Sequence, residues 1–294
     1  MSHHLVEAAD LCYSYSDGTE ALSGLSFRIT HGESVAIVGA NGAGKSTLLQ
    51  HLSGCLLPTS GTVLIGDTVL TRKTLAIVRR TVGMVFQDPD DQLFMPTVFA
   101  DVAFGPINLG LPPDQVRSRV ERALETVGMS HVAQRPPYRL SGGEKRAVAI
   151  ATVLAMDPDI LVMDEPSSNL DPRARRRLID LLATFTHTKI IATHDLDLAL
   201  ELCARTIILS QGRVAADGPT ASLLCDESIL GPCGLEKPLS LQGCPICSAG
   251  RGGAGQKSSA SGEVNPTAMP AMGTAEGSIR TTLPLPMIRP AERE

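Results

Sequence analysis

One short stretch constrains the fold of this chain more than any other. Residues 39–47 read GANGAGKST and match the phosphate-binding pattern G-x-x-x-x-G-K-[ST], the P-loop. They follow SVAIV (34–38), an apolar run typical of a buried parallel strand, and precede LLQHLSG, which has the periodicity of a helix. The sequence therefore predicts an α/β fold with a phosphate site at the carboxyl end of this strand.

The residue types of this loop suit a nucleoside triphosphate. Its glycines leave room for backbone N–H groups to approach phosphate oxygens, and the helix that follows adds its positive end. Lys45 would contact the β- and γ-phosphates, and the Ser46 hydroxyl would ligate Mg²⁺, so we expect ATP and Mg²⁺ as cofactors. The predicted nucleotide-binding residues of the loop are Gly39, Asn41, Gly42, Ala43, Gly44, Lys45, Ser46 and Thr47.

Two more apolar strands end in polar residues. The run ILVMDE (160–165) ends in Asp164, which we expect to hold Mg²⁺, and Glu165, which we expect to orient and deprotonate the attacking water. The run KIIATHD (189–195) ends beside His194, which would bond the γ-phosphate. Without the other motifs, such an acidic pair would more often be a helix cap or a solvated charge, and the histidine would be a strand-end residue with no chemistry.

A second candidate anion site lies at LSGGE (140–144), before the helical run KRAVAIATVLAM. Ser141, Gly142 and Gly143 would offer N–H donors and a positive helix end to an anion. Because one chain then carries two anion sites, both can serve one nucleotide only if two copies face each other.

Bulk composition excludes several classes of protein. The net charge of −5 and a pI near 5.8 argue against a protein that mainly grips nucleic acid. The longest apolar stretch, Ala147 to Met156, falls short of the ~20 residues that cross a bilayer, and the N-terminus lacks the pattern of a secretory signal. We therefore expect a protein of the cytoplasmic side that has no membrane span of its own.

The composition changes near residue 236. We expect residues 1–235 to form one ATPase domain and residues 236–294, rich in Gly, Ser, Ala, Pro and Thr, to be a disordered tail. The seven cysteines indicate a reducing compartment. A zinc site formed by Cys225, Cys233, Cys244 and Cys247 is one interpretation, and loose tail thiols are the favoured one.

Taken in order, GANGAGKST, Gln87, LSGGE, ILVMDE, SNLD and His194 resemble the ATPase subunit of ABC transporters, over about residues 5 to 230. The resemblance implies an α/β P-loop ATPase with a mostly parallel core sheet, an antiparallel N-terminal β part and a helical subdomain, about residues 97–140, that carries the signature LSGGE. It also implies a head-to-tail dimer, of identical or related chains, in which each LSGGE faces the partner's ATP.

The resemblance assigns three further roles. Gln87 would reach Mg²⁺ and the attacking water, and Ser168 to Asp171 would link the two nucleotide sites. Tyr15 would stack on adenine, although Tyr13 and Tyr15 share one face of a strand and either could simply pack. Position 144 is Glu where the family more often has Gln, which adds negative charge near the partner's nucleotide.

The stretch QDPDDQLF (87–94), named the coupling segment here, resembles the energy-coupling-factor branch of the family, closest to its cobalt and nickel uptake ATPases. Asp88, Asp90 and Asp91 would pair with arginines of a transmembrane coupling subunit, and Leu93 and Phe94 would supply an apolar anchor. The alternative is a solvated acidic turn opened by proline.

These features favour one function over three others. The favoured hypothesis is an ATP-hydrolysing subunit on the cytoplasmic face of the membrane, bound to a coupling subunit and a substrate-binding membrane subunit that import cobalt or nickel. The alternatives are a vitamin importer of the same branch, a soluble ABC-type switch acting on ribosomes or DNA, and a metal-scavenging protein centred on the cysteine tail. The sequence does not name the imported solute.

Overall fold

The structure is a computed structural model, and it describes residues 4–242. Two sheets organise the described residues. Their strands are β1 His4–Ser14, β2 Glu20–Thr30, β3 Ser34–Val38, β4 Ser60–Ile65, β5 Thr68–Val69, β6 Val82–Val85, β7 Ile160–Asp164, β8 Thr188–Ala192, β9 Arg205–Ser210 and β10 Arg213–Pro219.

Helices fill the connections between the strands. They are α1 Lys45–Leu52, α2 Leu75–Thr81, α3 Val98–Asn108, α4 Pro113–Thr126, α5 Gly142–Leu154, α6 Pro172–Ala183, α7 Leu196–Leu202, α8 Thr220–Leu223 and α9 Glu227–Leu230. Short 3-10 turns include Pro89–Asp91 in the coupling segment and Leu239–Leu241 near the end of the described chain. None of the helices within residues 4–242 is long and apolar enough to cross a bilayer.

The larger sheet has the order β10-β9-β3-β8-β7-β6, in which β9 to β6 are parallel and β10 is antiparallel. The smaller sheet, β2-β1-β4-β5, is antiparallel throughout. The predicted fold class is therefore confirmed: a mostly parallel core sheet is joined to an antiparallel N-terminal β part.

Apolar side chains bury both faces of the parallel sheet. In β3, Val35 and Ile37 pack with α1 and the antiparallel sheet, whereas Ala36 and Val38 pack with the helices of the opposite face. This alternation explains why SVAIV is apolar at four consecutive positions: a strand covered on two sides has no solvent face. The strand order brings the carboxyl ends of β3, β8, β7 and β6 next to one another.

Helices α3, α4 and α5 pack together beside this sheet. Helix α4 buries Val116, Val120, Ala123 and Leu124, which share one face at the 3.6-residue spacing of a helix. Gly128 follows it with a φ of 71°, a left-handed conformation that ends helices.

The start of the predicted tail is partly within the described chain. The backbone N–H groups of Leu239 and Ser240 donate to the Asp197 carboxylate at 3.2 and 3.1 Å, and Lys237 pairs with Glu227 at 2.8 Å. Residues 243–294, with Cys244 and Cys247, lie outside the described residues. Among those described, no cluster of histidines, cysteines and acids could hold a metal ion.

Candidate functional site

The P-loop forms a tight backbone turn between β3 and α1. Gly44 precedes α1 with a φ of 100°, and a Cβ there would lie 2.7 Å from the Ala21 carbonyl oxygen, so only glycine fits. Gly42 also has a left-handed φ, of 79°, but nothing lies within 4 Å of where its Cβ would be. The loop is thus closed on the protein side at Gly44 and open at Gly42, as a phosphate cradle requires.

Lys45 places its ammonium inside this turn. The residue is 7% exposed, and its Nζ donates to the carbonyl oxygens of Gly39 at 2.8 Å and Ala40 at 3.3 Å. Its Nζ also lies 4.0 Å from Glu165 Oε1. A buried cation that is held mainly by neutral carbonyls can still interact strongly with an incoming phosphate.

Asp164 and Ser46 form a pair suited to a divalent cation. Asp164, at the end of β7, is 5% exposed, and its Oδ1 has no hydrogen-bond partner among the described residues. Burial raises the pKa of its carboxyl group, while a hydrogen bond with Ser46 opposes that shift. Mg²⁺ prefers oxygen ligands and would satisfy the orphaned oxygen, so these residues fit the predicted metal.

Glu165 is oriented by the end of the neighbouring strand β8. Its Oε2 accepts from His194 Nδ1 at 2.7 Å, from the His194 backbone N–H at 3.2 Å and from Thr193 Oγ1 at 3.3 Å. Its backbone has a φ of 45°, a strained value for a residue with a side chain. The imidazole of His194 is 65% exposed, so this ring lies between the buried Glu165 carboxylate and the solvent.

Gln87 follows β6 on the same sheet edge but stands apart from this cluster. Its side chain is exposed and makes no hydrogen bond within residues 4–242, whereas its carbonyl oxygen accepts from Arg146 Nη2 at 2.6 Å. The structure therefore places Glu165 next to both Lys45 and His194 and leaves Gln87 at the rim.

The two tyrosines near the N-terminus have different surroundings. Tyr15 is 39% exposed, and its hydroxyl lies 2.9 Å from Thr47 Oγ1, which places the ring beside the start of α1. Tyr13 packs edge-on between Tyr15 and the buried His51, with ring centroids 5.0 and 4.8 Å away. Tyr13 therefore packs against two rings, and Tyr15 is partly exposed beside the P-loop.

LSGGE forms the capped start of α5. Ser141 and Gly142 are exposed, and nothing lies within 4 Å of where a Gly142 Cβ would be. Ser141, Gly143 and Glu144 line a cavity of about 510 Å³ together with residues of α4 and α6, but no residue of the P-loop lines it, and neither Asp164 nor Glu165 does. The two candidate anion sites therefore face different spaces.

Sequence reasoning missed Arg146, which joins three of these segments. This residue of α5 is 3% exposed; its Nη1 donates to the Phe86 carbonyl oxygen at 2.8 Å, and its Nη2 donates to Gln87 O and, at 3.4 Å, to Ser168 Oγ. Burial lowers its pKa. A signal was available, since Arg146 lies in helical register with the buried Ile150 and Val153.

Two arginines of α6 form ion pairs with acidic residues that follow β8. Arg175 donates to both carboxylate oxygens of Asp195 at 2.7 and 2.9 Å, and Arg176 pairs with Glu201. Asp195 also accepts from Ser167 Oγ at 3.2 Å, so the segment after Glu165 and the segment after His194 are bound together.

The coupling segment differs from expectation at Leu93. Leu93 is 8% exposed and belongs to the core, whereas Phe94 is 63% exposed. Asp88 caps the turn by accepting from the Asp90 N–H at 2.9 Å, and Asp90 pairs with Lys145 Nζ at 2.6 Å. Of the side chains expected to contact a partner, Asp91 is exposed and makes no hydrogen bond or ion pair within the described residues, and Phe94 is exposed beside Phe104.

Comparison with known proteins places this geometry in context. Residues 22–168 match the ABC transporter family. The chain is 68% identical to GSU1281 of Geobacter sulfurreducens, named an ABC transporter ATP-binding protein, over 84% of this chain and 99% of that protein. It is 45% identical to the energy-coupling factor transporter ATP-binding protein EcfA1 of Methanospirillum hungatei, over 80% of this chain and 87% of the relative.

A solved structure agrees with these similarities. The structure of CbiO1 from Clostridium perfringens, described as part of the ABC transporter complex CbiONQ, superposes with a TM-score of 0.70. The two sequences are 40% identical over 78% of this chain and 94% of that one.

Proposed function

Because this chain belongs to the ABC transporter ATP-binding family, whose members bind ATP with Mg²⁺ and hydrolyse it to power transport, we propose that it energises an importer of the energy-coupling-factor type for cobalt or nickel ions. The expected ATPase activity and the two cofactors are confirmed by that membership. The type of importer, its solute and the residue roles are our proposal.

The observation that carries the proposal is the surface beside the coupling segment. A groove of about 230 Å³ lies there, and Phe94 and Phe104, 63% and 44% exposed, meet edge-on at its lip with centroids 5.0 Å apart. Exposed aromatic pairs of this kind mark binding surfaces. Such a groove suits the apolar face of a helix from a membrane partner.

A buried carboxyl group, that of Asp101, also lines the groove. Asp101 is 3% exposed; its Oδ1 accepts from the N–H groups of Phe94 and Met95 at 3.0 and 2.9 Å, and its Oδ2 has no partner within the described chain. A buried carboxylate with a free oxygen is stabilised by a cationic side chain that enters the groove. We infer that the partner helix carries an arginine or lysine between apolar residues.

The relatives support the branch of the family. The matches to EcfA1 and to CbiO1, which is described as part of a transporter complex, cover most of this chain and most of each relative. We therefore propose that this chain sits on the cytoplasmic face of the membrane, pairs head-to-tail with an identical or related ATPase, and docks a coupling subunit that also contacts a substrate-binding membrane subunit.

Within the site we propose the following division of work. Lys45 and the P-loop backbone bind the phosphates, Ser46 and Asp164 hold Mg²⁺, and Glu165 takes the proton of the attacking water. His194 holds the Glu165 carboxylate and contacts the γ-phosphate. Gln87 moves toward the metal from the rim, and Tyr15 stacks on adenine. Ser141, Gly142 and Gly143 complete the partner's site.

The solute is tested by uptake in cells that lack this gene. Radioactive Co²⁺ and Ni²⁺ are offered to cells complemented with the wild-type gene, with Glu165→Gln or with the control Glu121→Gln. The control makes the same charge change at an exposed position of α4. We expect wild type and Glu121→Gln to restore accumulation and Glu165→Gln to fail. Restored uptake of a vitamin with no change in either metal would instead support the vitamin-importing alternative.

A further inference from the structure

Glu144 engages the donors of the signature serine. Its Oε2 accepts from the backbone N–H of Ser141 at 2.8 Å and from the Ser141 hydroxyl, also at 2.8 Å. In return, the Glu144 N–H donates to Ser141 Oγ at 3.4 Å. This reciprocal arrangement is a capping box that closes the first turn of α5.

The hydroxyl of a serine has a single proton to donate. Under the proposed function, on which this inference rests, Ser141 lies opposite the γ-phosphate bound by the partner ATPase. Ser141 and Gly142 are exposed, and the space where a Gly142 Cβ would lie is open, so an anion can approach. The hydroxyl that this anion approaches already donates its hydrogen bond to the Glu144 carboxylate.

We propose that Glu144 is a positioning residue that holds the Ser141 hydroxyl away from the partner's nucleotide, so that ATP must displace the carboxylate before the two ATPases close. Two costs oppose closure. The phosphate competes with a charged acceptor for one proton, and it approaches a like charge. The Ser141 hydroxyl of the signature is therefore held by Glu144 until ATP displaces the carboxylate.

The surroundings of Glu144 keep it ionised. The pKa of its carboxyl group is lowered, first by the hydrogen bonds from Ser141 and further by the nearby charges of Arg135 and His131. Both basic residues are exposed on the segment that precedes the signature. Arg135 and His131 can interact with the Glu144 carboxylate once the Ser141 hydroxyl donates its hydrogen bond to the phosphate instead.

Glutamine at this position would act differently. Its amide oxygen accepts the Ser141 N–H, which preserves the capping box. The same neutral oxygen still accepts the Ser141 hydroxyl, but more weakly than a carboxylate does, and it adds no negative charge opposite the phosphate. Glu144→Gln therefore separates the capping role, which it keeps, from the competition for the hydroxyl, which it weakens.

The test measures ATP hydrolysis by the complete complex, purified from membranes through this subunit, as a function of ATP concentration. We expect Glu144→Gln to lower the KM for ATP about fivefold, the ratio that corresponds to ~1 kcal/mol of surface repulsion, with kcat within about twofold. Glu144→Ala should also lower KM, because it frees the hydroxyl. Glu121→Gln should change neither parameter.

The opposite results overturn the inference. If Glu144 only caps α5, Glu144→Gln leaves KM unchanged and Glu144→Ala raises it. A matching fall of KM in Glu121→Gln would show a general charge effect instead of a local one. Nucleotide binding by the isolated chain, through the P-loop, should be equal in all variants. A wild-type complex that binds ATP but does not hydrolyse it contradicts the proposed function itself, and this inference with it.

Discussion

At the scale of single residues, Glu165 is held in place before any nucleotide binds. Three donors from Thr193 and His194 fix its Oε2, and its strained φ of 45° is maintained by a backbone hydrogen bond to the Ala192 carbonyl oxygen at 2.8 Å. Strained residues that the surroundings hold firmly are typical of catalytic positions. The geometry therefore favours Glu165 as the base.

The first prediction concerns turnover. Glu165→Gln keeps the shape of the site and removes the proton acceptor, so ATP binding should persist while ATP hydrolysis falls ~10²-fold to 10⁴-fold. Steady-state hydrolysis and equilibrium binding of ATP measure the two effects separately. Near-normal turnover would remove Glu165 from this role.

The second prediction uses the buried charge of Asp164. Its folded pKa is raised above the ordinary value of 3.8, so the folded chain binds the proton more tightly and ionisation at neutral pH costs stability. Asp164→Asn should therefore raise the melting temperature of the nucleotide-free protein at pH 7, and this gain should shrink as the pH falls through the folded pKa of Asp164 toward 3.8. The same variant should lose the stabilisation that Mg²⁺ and ATP give wild type. A variant less stable than wild type without nucleotide, but equally protected by Mg²⁺ and ATP, would contradict the metal role.

At the scale of elements, α5 connects the signature to the coupling segment. Lys145 pairs with Asp90, and the Gln92 side chain donates to the Ala149 carbonyl oxygen at 2.8 Å and to Thr152 Oγ1 at 2.7 Å. Arg146 donates to the carbonyl oxygens of Phe86 and Gln87, which precede the turn. A partner helix that displaces this turn would therefore displace the start of α5 as well. The link is one of direct contacts along a single helix.

The third prediction tests that link. Asp90→Lys breaks the ion pair with Lys145, and because the Asp90 side chain is 63% exposed the loss should change the free energy of unfolding by less than about 1 kcal/mol. We expect hydrolysis by the isolated chain to stay within about twofold and Co²⁺ or Ni²⁺ uptake by the complex to be lost. Adding Lys145→Asp should restore part of the uptake.

A matched control keeps this test specific. Asp67→Lys makes the same charge change at an exposed turn between β4 and β5 and should leave uptake intact. Equal losses in both variants, or no loss in either, would show that Asp90 belongs to a plain surface turn.

Local features of this element were predictable from sequence, and distant ones were not. The P-loop and the S-x-x-E pattern at Ser141 and Glu144 are encoded within a few residues, although nothing in that pattern indicates that Glu144 accepts a hydrogen bond from the Ser141 hydroxyl. Arg146, in contrast, contacts residues 59 and 60 positions earlier in the chain. Such contacts depend on how α5 packs on β6, which no local pattern specifies. The same reason explains the unexpected burial of Leu93.

At the scale of the whole molecule, strand order creates the site. Each of the strands β3, β8, β7 and β6 ends in a polar segment, and the sheet places these ends side by side although they are distant in sequence. The polar strand ends could be read from the sequence, but the adjacency of β3 and β8 could not. The coupling segment leaves the last of these strands, and its Gln92 and Phe94 line the groove together with residues of that strand.

The measurement that tests this account most directly is recovery of the chain, tagged at its N-terminus, from gently solubilised native membranes. We expect wild type to bring down two integral membrane proteins. Phe94→Asp should lose them, because a charge at the exposed ring position disrupts the groove. Ile77→Asp should keep them, since Ile77 is 54% exposed and does not line the groove. If wild type is recovered without membrane proteins, or with ribosomes or nucleic acid, the importer assignment is contradicted.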